Sequence, residues 1–196
     1  MKKIALTGNI GSGKSVVAKM FHVLGISIFN ADMEARQAYF DDTVKDKMVS
    51  IFSDIILSSN GEVDTKIVAS IIFKDKEALK TVNSIIHPLV LEKYNSWCNE
   101  HNTEIYTLHE AAIIFENNLQ NNFDAIINVS APSDLRIARV MERDNITEEL
   151  VRERMVNQLS DKTKCELSHF VIHNDGKSFL IPQVTLIHNK LISNKS

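Results

Sequence analysis

The sequence predicts an α/β fold in which a parallel sheet is flanked by helices, and three observations support this prediction. Residues 8–15 read GNIGSGKS and match the pattern G-x-x-x-x-G-K-[ST] between an apolar segment and an amphipathic helix. Short apolar segments alternate with helical patterns, which favours parallel strands with helical connections. Residues 38–101 carry mainly helical periodicity. We therefore expect a sheet domain with a helical insertion.

The glycine-rich loop at residues 8–15 predicts a polyphosphate site and a P-loop NTPase-type fold. Its glycines permit positive φ and a close approach of the backbone to phosphate, and the N-terminus of the following helix favours an anion. Lys14 places a charge between the outer phosphates, and the Ser15 hydroxyl is the expected Mg²⁺ ligand. The predicted nucleotide-binding positions in the loop are Gly11, Ser12, Gly13, Lys14, Ser15 and Val16.

Length and composition limit the classes of function. A chain of 196 residues with 44% hydrophobic residues suits one compact domain with room for a subdomain. The 22 basic and 25 acidic residues give no argument for binding nucleic acid or an anionic membrane. Cys98 and Cys165 are far apart, which favours free thiols in a reducing compartment. We expect a cytoplasmic protein with small-molecule partners, and its oligomeric state stays open.

The second predicted strand, residues 26–29, follows a helix stop at Gly25 and leads into Asp32. Side chains at the carboxyl end of a strand beside the phosphate loop face the ligand crevice. Asp32 is therefore a candidate for organising Mg²⁺ or for accepting a proton from a hydroxyl, and the alternative role is the N-cap of the next helix. Arg36, one helical turn later, either contacts a substrate phosphate or is an ordinary solvated arginine.

The block from Ala38 to His101 predicts an inserted helical substrate-binding subdomain, because it is too long for a plain strand-to-helix crossover. One helix is expected to begin near Lys76. Pro88 disfavours a helical conformation at His87 and is expected to start the next helix. Taken alone, His87 fits a structural role better than a catalytic one.

Three further strands are predicted at residues 104–108, 123–129 and 169–173. Glu110 follows the first of them, where folds of this type place an acidic residue near Mg²⁺. Asn174 and Gly176 form a turn after the last strand, placed to contact a nucleotide base.

The helices after Ala131 carry several arginines, among them Arg136, Arg139 and Arg143. Interleaved glutamates permit a simple interpretation, a pair of solvated helices with ion pairs between residues i and i+4. The alternative is a mobile lid that brings arginines over the transferring phosphate. The phosphate loop makes the lid the favoured interpretation.

Taken in order along nearly the whole chain, these motifs resemble the dephospho-CoA kinase family. The matching features are the phosphate loop, Ala31-Asp32 with Arg36, Ile86-His87-Pro88, Ile113-Ile114-Phe115-Glu116, Arg139 and Arg143, Arg154 with Gln158, and Val171-Ile172 with Asn174 and Gly176. The resemblance implies transfer of the γ-phosphoryl group of ATP to the 3′-hydroxyl of the dephospho-CoA ribose, which gives CoA and ADP in the last step of CoA biosynthesis.

The resemblance also implies roles for residues and for segments. Asp32 corresponds to the catalytic aspartate, and it is a metal candidate with Ser15 and Glu110. Lys14 and Arg139 are catalytic, and Arg143 is a second lid arginine that contacts ATP. The residues near the acceptor are Arg36, His87 and Glu116. The expected segments are a nucleotide core at about 1–32, 104–135 and 166–196, a helical CoA-binding insertion at about 33–103 and a lid at about 136–165.

Five positions depart from the family pattern. The family usually has Gly at position 9, often Asp at 30, commonly Ser or Thr at 16, Pro at 112 and Asp-Arg at 64–65, whereas this chain has Asn9, Asn30, Val16, Ala112 and Asp64-Thr65. None of these removes a group that the chemistry requires. An alternative is another small P-loop kinase acting on a nucleoside monophosphate or small metabolite. A nucleotide-switch protein would carry N-K-x-D or D-x-x-G, and neither motif occurs.

Overall fold

The computed structural model describes residues 1–193, apart from the side chains of residues 73 and 74, and the chain divides into two compact units. Unit 1 comprises Met1–Asn30 and His101–Ser196, and unit 2 comprises Ala31–Glu100. The expected division into core, insertion and lid stays a prediction, and residues 194–196 of the expected core lie outside the described residues.

Unit 1 is built on one parallel sheet, which confirms the predicted fold class. Its five strands lie in the order β2-β3-β1-β4-β5. They are β1 (Lys2–Thr7), β2 (Ile28–Asn30), β3 (Tyr106–Glu110), β4 (Ala125–Ser130) and β5 (Phe170–His173). The helices of this unit are α1 (Lys14–Val23), α6 (Ser133–Asp144), α7 (Glu148–Val156), α8 (Asp161–Leu167) and α9 (Leu180–Ser193), with a short 3₁₀ turn at Gln120–Asn122.

The core of unit 1 explains why its central strands are apolar along their length. Ile4 and Leu6 of β1 are fully buried, as are Ile127 and Val129 of β4. Side chains of α1 and α9 belong to the same hydrophobic cluster, so the sheet is covered by helices. Strand β3 extends further than the sequence predicts. Glu110 ends this strand instead of following it, because it still pairs in register with Leu6 and Asn30.

Unit 2 is helical, as the sequence predicts. Its helices are α2 (Ala31–Ala38), α3 (Asp42–Phe52), α4 (Thr65–Lys74) and α5 (Lys76–Glu100), with a 3₁₀ turn at Asp54–Ile56. Three aspartates cap helix N-termini, because each accepts bonds from two N–H groups of the first turn. They are Asp41, Asp64 and Asp75.

The expected helix boundary at Pro88 was wrong, because α5 continues through it. Buried residues recur every four positions on both sides of the proline, at Val82, Ile86, Tyr94 and Cys98. Packing of this stripe outweighs the one backbone bond that Pro88 cannot donate. Ser84, whose carbonyl loses that donor, is exposed, as is Pro88. Among the described residues, no helix combines the length and the hydropathy that crossing a bilayer requires.

Candidate active site

The glycines of the phosphate loop are required by contacts within the protein itself. Gly8, Gly11 and Gly13 have φ values of 155°, 78° and 91°. A Cβ at position 8 would lie 2.6 Å from the carbonyl oxygen of Val129, and one at position 11 would collide with the backbone of Arg136. The loop is therefore packed closely against its neighbours, and glycine is the residue that both the dihedral angles and the space allow.

The N-terminus of α1 is suited to an anion. Gly13 is the N-cap residue in the left-handed conformation, and no side chain caps the helix. The first turn holds no acidic residue, and Ser15 and Val16 are exposed. The positive end of the helix dipole thus coincides with Lys14, the first residue of the helix.

Arg139 and Asn174 come together at this loop, although they are far apart in sequence. The Arg139 guanidinium donates to the carbonyl of Gly11 at 3.4 Å and to both oxygens of Asn174 at 3.3 Å. The Asn174 amide in turn donates to the carbonyl of Ser12 at 2.7 Å. These contacts join the loop, α6 and the segment after β5, so both residues help to hold the loop in shape.

The turn after β5 that contains Gly176 is fixed by Asp175. Its carboxylate accepts from the backbone N–H groups of Lys177 and Ser178 at 2.9 and 2.7 Å. These bonds stabilise the charged form and lower the pKa of Asp175 to about 2. Gly176 has a φ of 81° and is exposed.

Arg143 lies elsewhere, near the exposed end of α6. It forms two bonds to Asp144, at 2.7 and 3.0 Å, and Arg154 binds the same carboxylate at 2.9 Å. The hydrogen bond from Arg143 lowers the pKa of Asp144. Unlike Arg139, Arg143 is joined to this local ion-pair group and not to the loop.

Glu110 and Ser15 are the predicted metal ligands that belong to unit 1, and each side chain carries oxygen of the kind that a hard divalent cation prefers. The Glu110 carboxylate is buried, with 6% exposure, and accepts from the Asn30 amide at 3.1 Å. No cluster of three or more His, Cys, Asp or Glu residues within the described chain is arranged to hold a metal. Mg²⁺ usually takes one or two carboxylates together with water and substrate phosphates, so a hydroxyl and a carboxylate fit it.

Glu116 belongs to a buried ion pair. Its Oε1 lies 2.8 Å from Nζ of Lys164 and accepts from the Leu159 N–H at 2.9 Å. Burial lowers the pKa of the fully buried Lys164, and Glu116 opposes this effect.

Sequence reasoning missed two buried cations of this site. Lys164 lies in the polar stretch DKTK, which suggests a solvated helix. The sequence pattern places Arg136 among the lid arginines, yet it is 5% exposed and donates from Nε to the carbonyl of Ala131 at 3.1 Å. Burial lowers the pKa of Arg136, and the charge of Asp161 raises it. A polar sequence does not reveal which of its charges turns inward.

Three predicted site residues belong to unit 2. Asp32 is the second residue of α2 and lies inside the helix instead of at the N-cap. Arg36 is exposed in the last turn of the same helix. His87 is half-buried in α5, and burial lowers its pKa. Their roles stay predictions.

The comparisons with known proteins decide the family. The family model of dephospho-CoA kinase matches residues 2–179. The chain belongs to the dephospho-CoA kinase family. A dephospho-CoA kinase of Bacteroides fragilis is 36% identical over 182 residues, which are 93% of this chain and 89% of the relative. One of Fusobacterium nucleatum is 33% identical over 173 residues, covering 88% and 89%.

Solved structures agree on the fold. A Thermus thermophilus protein superposes with a TM-score of 0.84 at 24% identity and covers 100% of this chain and 98% of its own. Dephospho-CoA kinase of Campylobacter jejuni gives 0.71 at 23% identity, covering 99% and 98%. A shikimate kinase of Acinetobacter baumannii gives 0.56 at 15% identity, covering 100% and 95%. These likenesses show that the three structures share the fold of this chain.

Proposed function

We propose that this protein phosphorylates the ribose 3′-hydroxyl of dephospho-CoA with ATP and releases CoA and ADP, the last step of CoA biosynthesis. The observation that carries this proposal is the family match along residues 2–179, which includes a phosphate loop followed by a helix N-terminus that no side chain caps.

Lys14 and the N–H groups of the first turn of α1 bind the outer phosphates of ATP. Phosphoryl transfer demands positioning and charge stabilisation more than covalent chemistry from the protein. Arg139 keeps the loop in shape through Gly11 and Asn174, and its guanidinium adds positive charge beside the phosphates. Mg²⁺ held by Ser15 and Glu110 would neutralise phosphate charge when bound.

Asp32 orients or deprotonates the acceptor hydroxyl. A carboxylate with this task must accept a hydrogen bond from the hydroxyl that attacks. Arg36 and His87 belong to the same helical unit and serve the acceptor side, as the resemblance implies. In this proposal unit 2 corresponds to the CoA-binding insertion, and α6 to α8 include the lid. Free Cys98 and Cys165 are consistent with a reducing, cytoplasmic location.

The decisive experiment measures ADP formation with the purified protein, ATP and Mg²⁺, and compares dephospho-CoA with CoA. Dephospho-CoA should stimulate turnover, whereas CoA should not, because its 3′-hydroxyl already carries a phosphate. Shikimate and nucleoside monophosphates serve as competing acceptors, and Lys14→Met serves as the inactive control. Stimulation by one of those acceptors in place of dephospho-CoA would overturn the proposal.

A further inference from the structure

Two loop residues, Asn9 and Ile10, are bonded to the connection between α7 and α8. The Asn9 amide donates to the carbonyl of Leu159 at 3.0 Å. The Ile10 N–H donates to Oε1 of Gln158 at 2.9 Å. The two side chains that form these bonds lie 150 and 148 positions from their partners in the sequence. The first half of the phosphate loop is therefore held from outside the loop.

The buried ion pair of Glu116 and Lys164 also holds the connection between α7 and α8. Glu116 accepts from the N–H of Leu159 at 2.9 Å, so both backbone polar groups of Leu159 are bonded. Lys164 donates to Glu116 and to the carbonyl of Ala112, each at 2.8 Å. Thr7, the last residue of β1 before the loop, donates to that same carbonyl at 3.3 Å. Lys164 thus lies between the start of the loop and the segment that holds it.

Stability alone does not account for a lysine with no exposed surface. Taking an ammonium group out of water costs several kcal/mol, and a buried ion pair is often no more stabilising than apolar residues of similar size. A buried, fully bonded cation does orient its neighbours, because its hydrogen bonds fix the positions of specific oxygen atoms. Here those oxygens belong to Ala112 and Glu116, which adjoin the loop and the 158–159 connection.

These fixed positions affect the peptide between Asn9 and Ile10 in the phosphate loop. The N–H of Ile10 is bonded to Gln158 and so is not one of the donors open to phosphate. The Ile10 side chain packs against the cluster formed by Ile137, Val140 and Val151. The peptide between Asn9 and Ile10 is therefore held on both its polar and its apolar side, and this sets the path of the chain into Gly11.

We propose that Lys164 is a positioning residue for phosphoryl transfer, which acts through Glu116, Gln158 and Asn9 to hold the first half of the phosphate loop in its ATP-binding shape. We call these four residues the loop anchor. The proposal rests on the proposed kinase function, and it assigns a role to Asn9, which replaces the glycine usual in the family. Lys164 touches no reacting atom in this role.

The test compares Lys164→Met with Lys162→Met. Both lysines belong to α8, but the Lys162 side chain is 86% exposed and its partner Glu166 lies 3.9 Å away. For Lys164→Met we expect the affinity for a non-hydrolysable ATP analogue and kcat/KM for ATP to fall by about tenfold or more, the loss typical of one charge-assisted hydrogen bond. Lys162→Met should stay within about twofold of the wild type, since exposed ion pairs contribute little.

A double variant separates positioning from folding. Glu116→Gln combined with Lys164→Met removes both buried charges, so its thermal stability should recover relative to Lys164→Met. Its ATP-analogue affinity should stay low, because the carbonyl of Ala112 still lacks the bond from Lys164 and keeps only the longer one from Thr7. Recovery of both stability and affinity would overturn the proposal.

Gln158→Leu provides a second route if Lys164→Met does not fold. Gln158 is only half-buried, so this variant should keep its unfolding temperature while KM for ATP rises severalfold. An unchanged KM and analogue affinity would contradict the loop anchor. Binding of the ATP analogue is measured without an acceptor, so it tests the loop anchor independently of the reaction. A wild-type protein that binds the analogue but does not phosphorylate dephospho-CoA would count against the proposed function only.

Discussion

Unit 1 and unit 2 differ in what they bury. The buried polar or charged side chains of the described residues all belong to unit 1, and they are Thr7, Asn9, Ser12, Thr107, His109, Glu110, Asn128, Arg136 and Lys164. The buried side chains described in unit 2 are hydrophobic, with Val44, Met48, Ile56 and Val82 at the centre of one cluster. The core of unit 1 thus includes polar and charged side chains, whereas the described core of unit 2 is hydrophobic.

The difference reflects two tasks. Hydrophobic packing is non-directional, so it fixes the shape of a unit without orienting particular polar atoms. Hydrogen bonds in a buried environment orient their partners and are costly to break. Several of the buried polar groups of unit 1 bond to the phosphate loop or lie near it, where polar atoms must be oriented before a nucleotide arrives. Unit 2 needs a stable helical scaffold, and apolar packing provides it.

Asp32→Asn is the strongest way to break the comparison, because it tests whether unit 2 also supplies chemistry. We expect kcat to fall by about 10²- to 10⁴-fold, the usual contribution of a general base, while ATP-analogue affinity stays close to that of the wild type. Asp41→Asn is the matched control, since asparagine still caps α3. Steady-state kinetics with dephospho-CoA measure both variants, and near-normal turnover of Asp32→Asn would rule out this role.

Arg139→Met and Arg143→Met sharpen the comparison within unit 1. Arg139 bonds to the loop, whereas the exposed Arg143 bonds to Asp144. We therefore expect kcat/KM for ATP to fall by about tenfold to a hundredfold for the first and by less than about threefold for the second. The two substitutions remove the same group from one helix, and the same assay applies to both. Equal losses would show that Arg143 also serves the nucleotide, as the resemblance implies.

His109 tests how much a buried polar group lowers the free energy of unfolding of unit 1 as the pH falls. This ring stacks on Phe29 and meets Phe123 at a tilt, with centroids 5.4 and 4.9 Å away, and burial lowers its pKa to about 3. Between pH 6.5 and 3 the unfolded chain takes up a proton that the folded protein does not, so the free energy of unfolding decreases as the pH falls. From pH 7 to 5.5 this amounts to about 1 kcal/mol.

Urea unfolding of His109→Phe should therefore lose about 1 kcal/mol less than the wild type over that pH interval. The exposed His173→Phe, which keeps His109, should follow the wild type. Parallel pH profiles for His109→Phe and the wild type would contradict the assignment. Comparing slopes, not absolute stabilities, removes any packing effect of the new ring.

Much of the fold could be predicted because its signals are local. The glycines at positions 8, 11 and 13 indicate the phosphate loop. Each predicted strand overlaps an observed one. The error at Pro88 has a different origin. Proline disfavours a helix locally, but packing along the whole of α5 outweighs this effect. A short stretch of sequence around Pro88 does not contain the residues that provide this packing.

The sequence by itself determined the α/β class, the phosphate loop and the family resemblance, because each depends on residues that are contiguous or recur in a fixed order. Only the tertiary structure decided which charged residues turn inward. Lys164 and Lys162 are two positions apart in one polar helix, yet one is fully buried on Glu116 and the other is exposed. The same holds for Arg139 and Arg143 on α6. The bonding partners Ala112 of Lys164 and Asn174 of Arg139 lie more than thirty positions away in the sequence, and no local pattern encodes them.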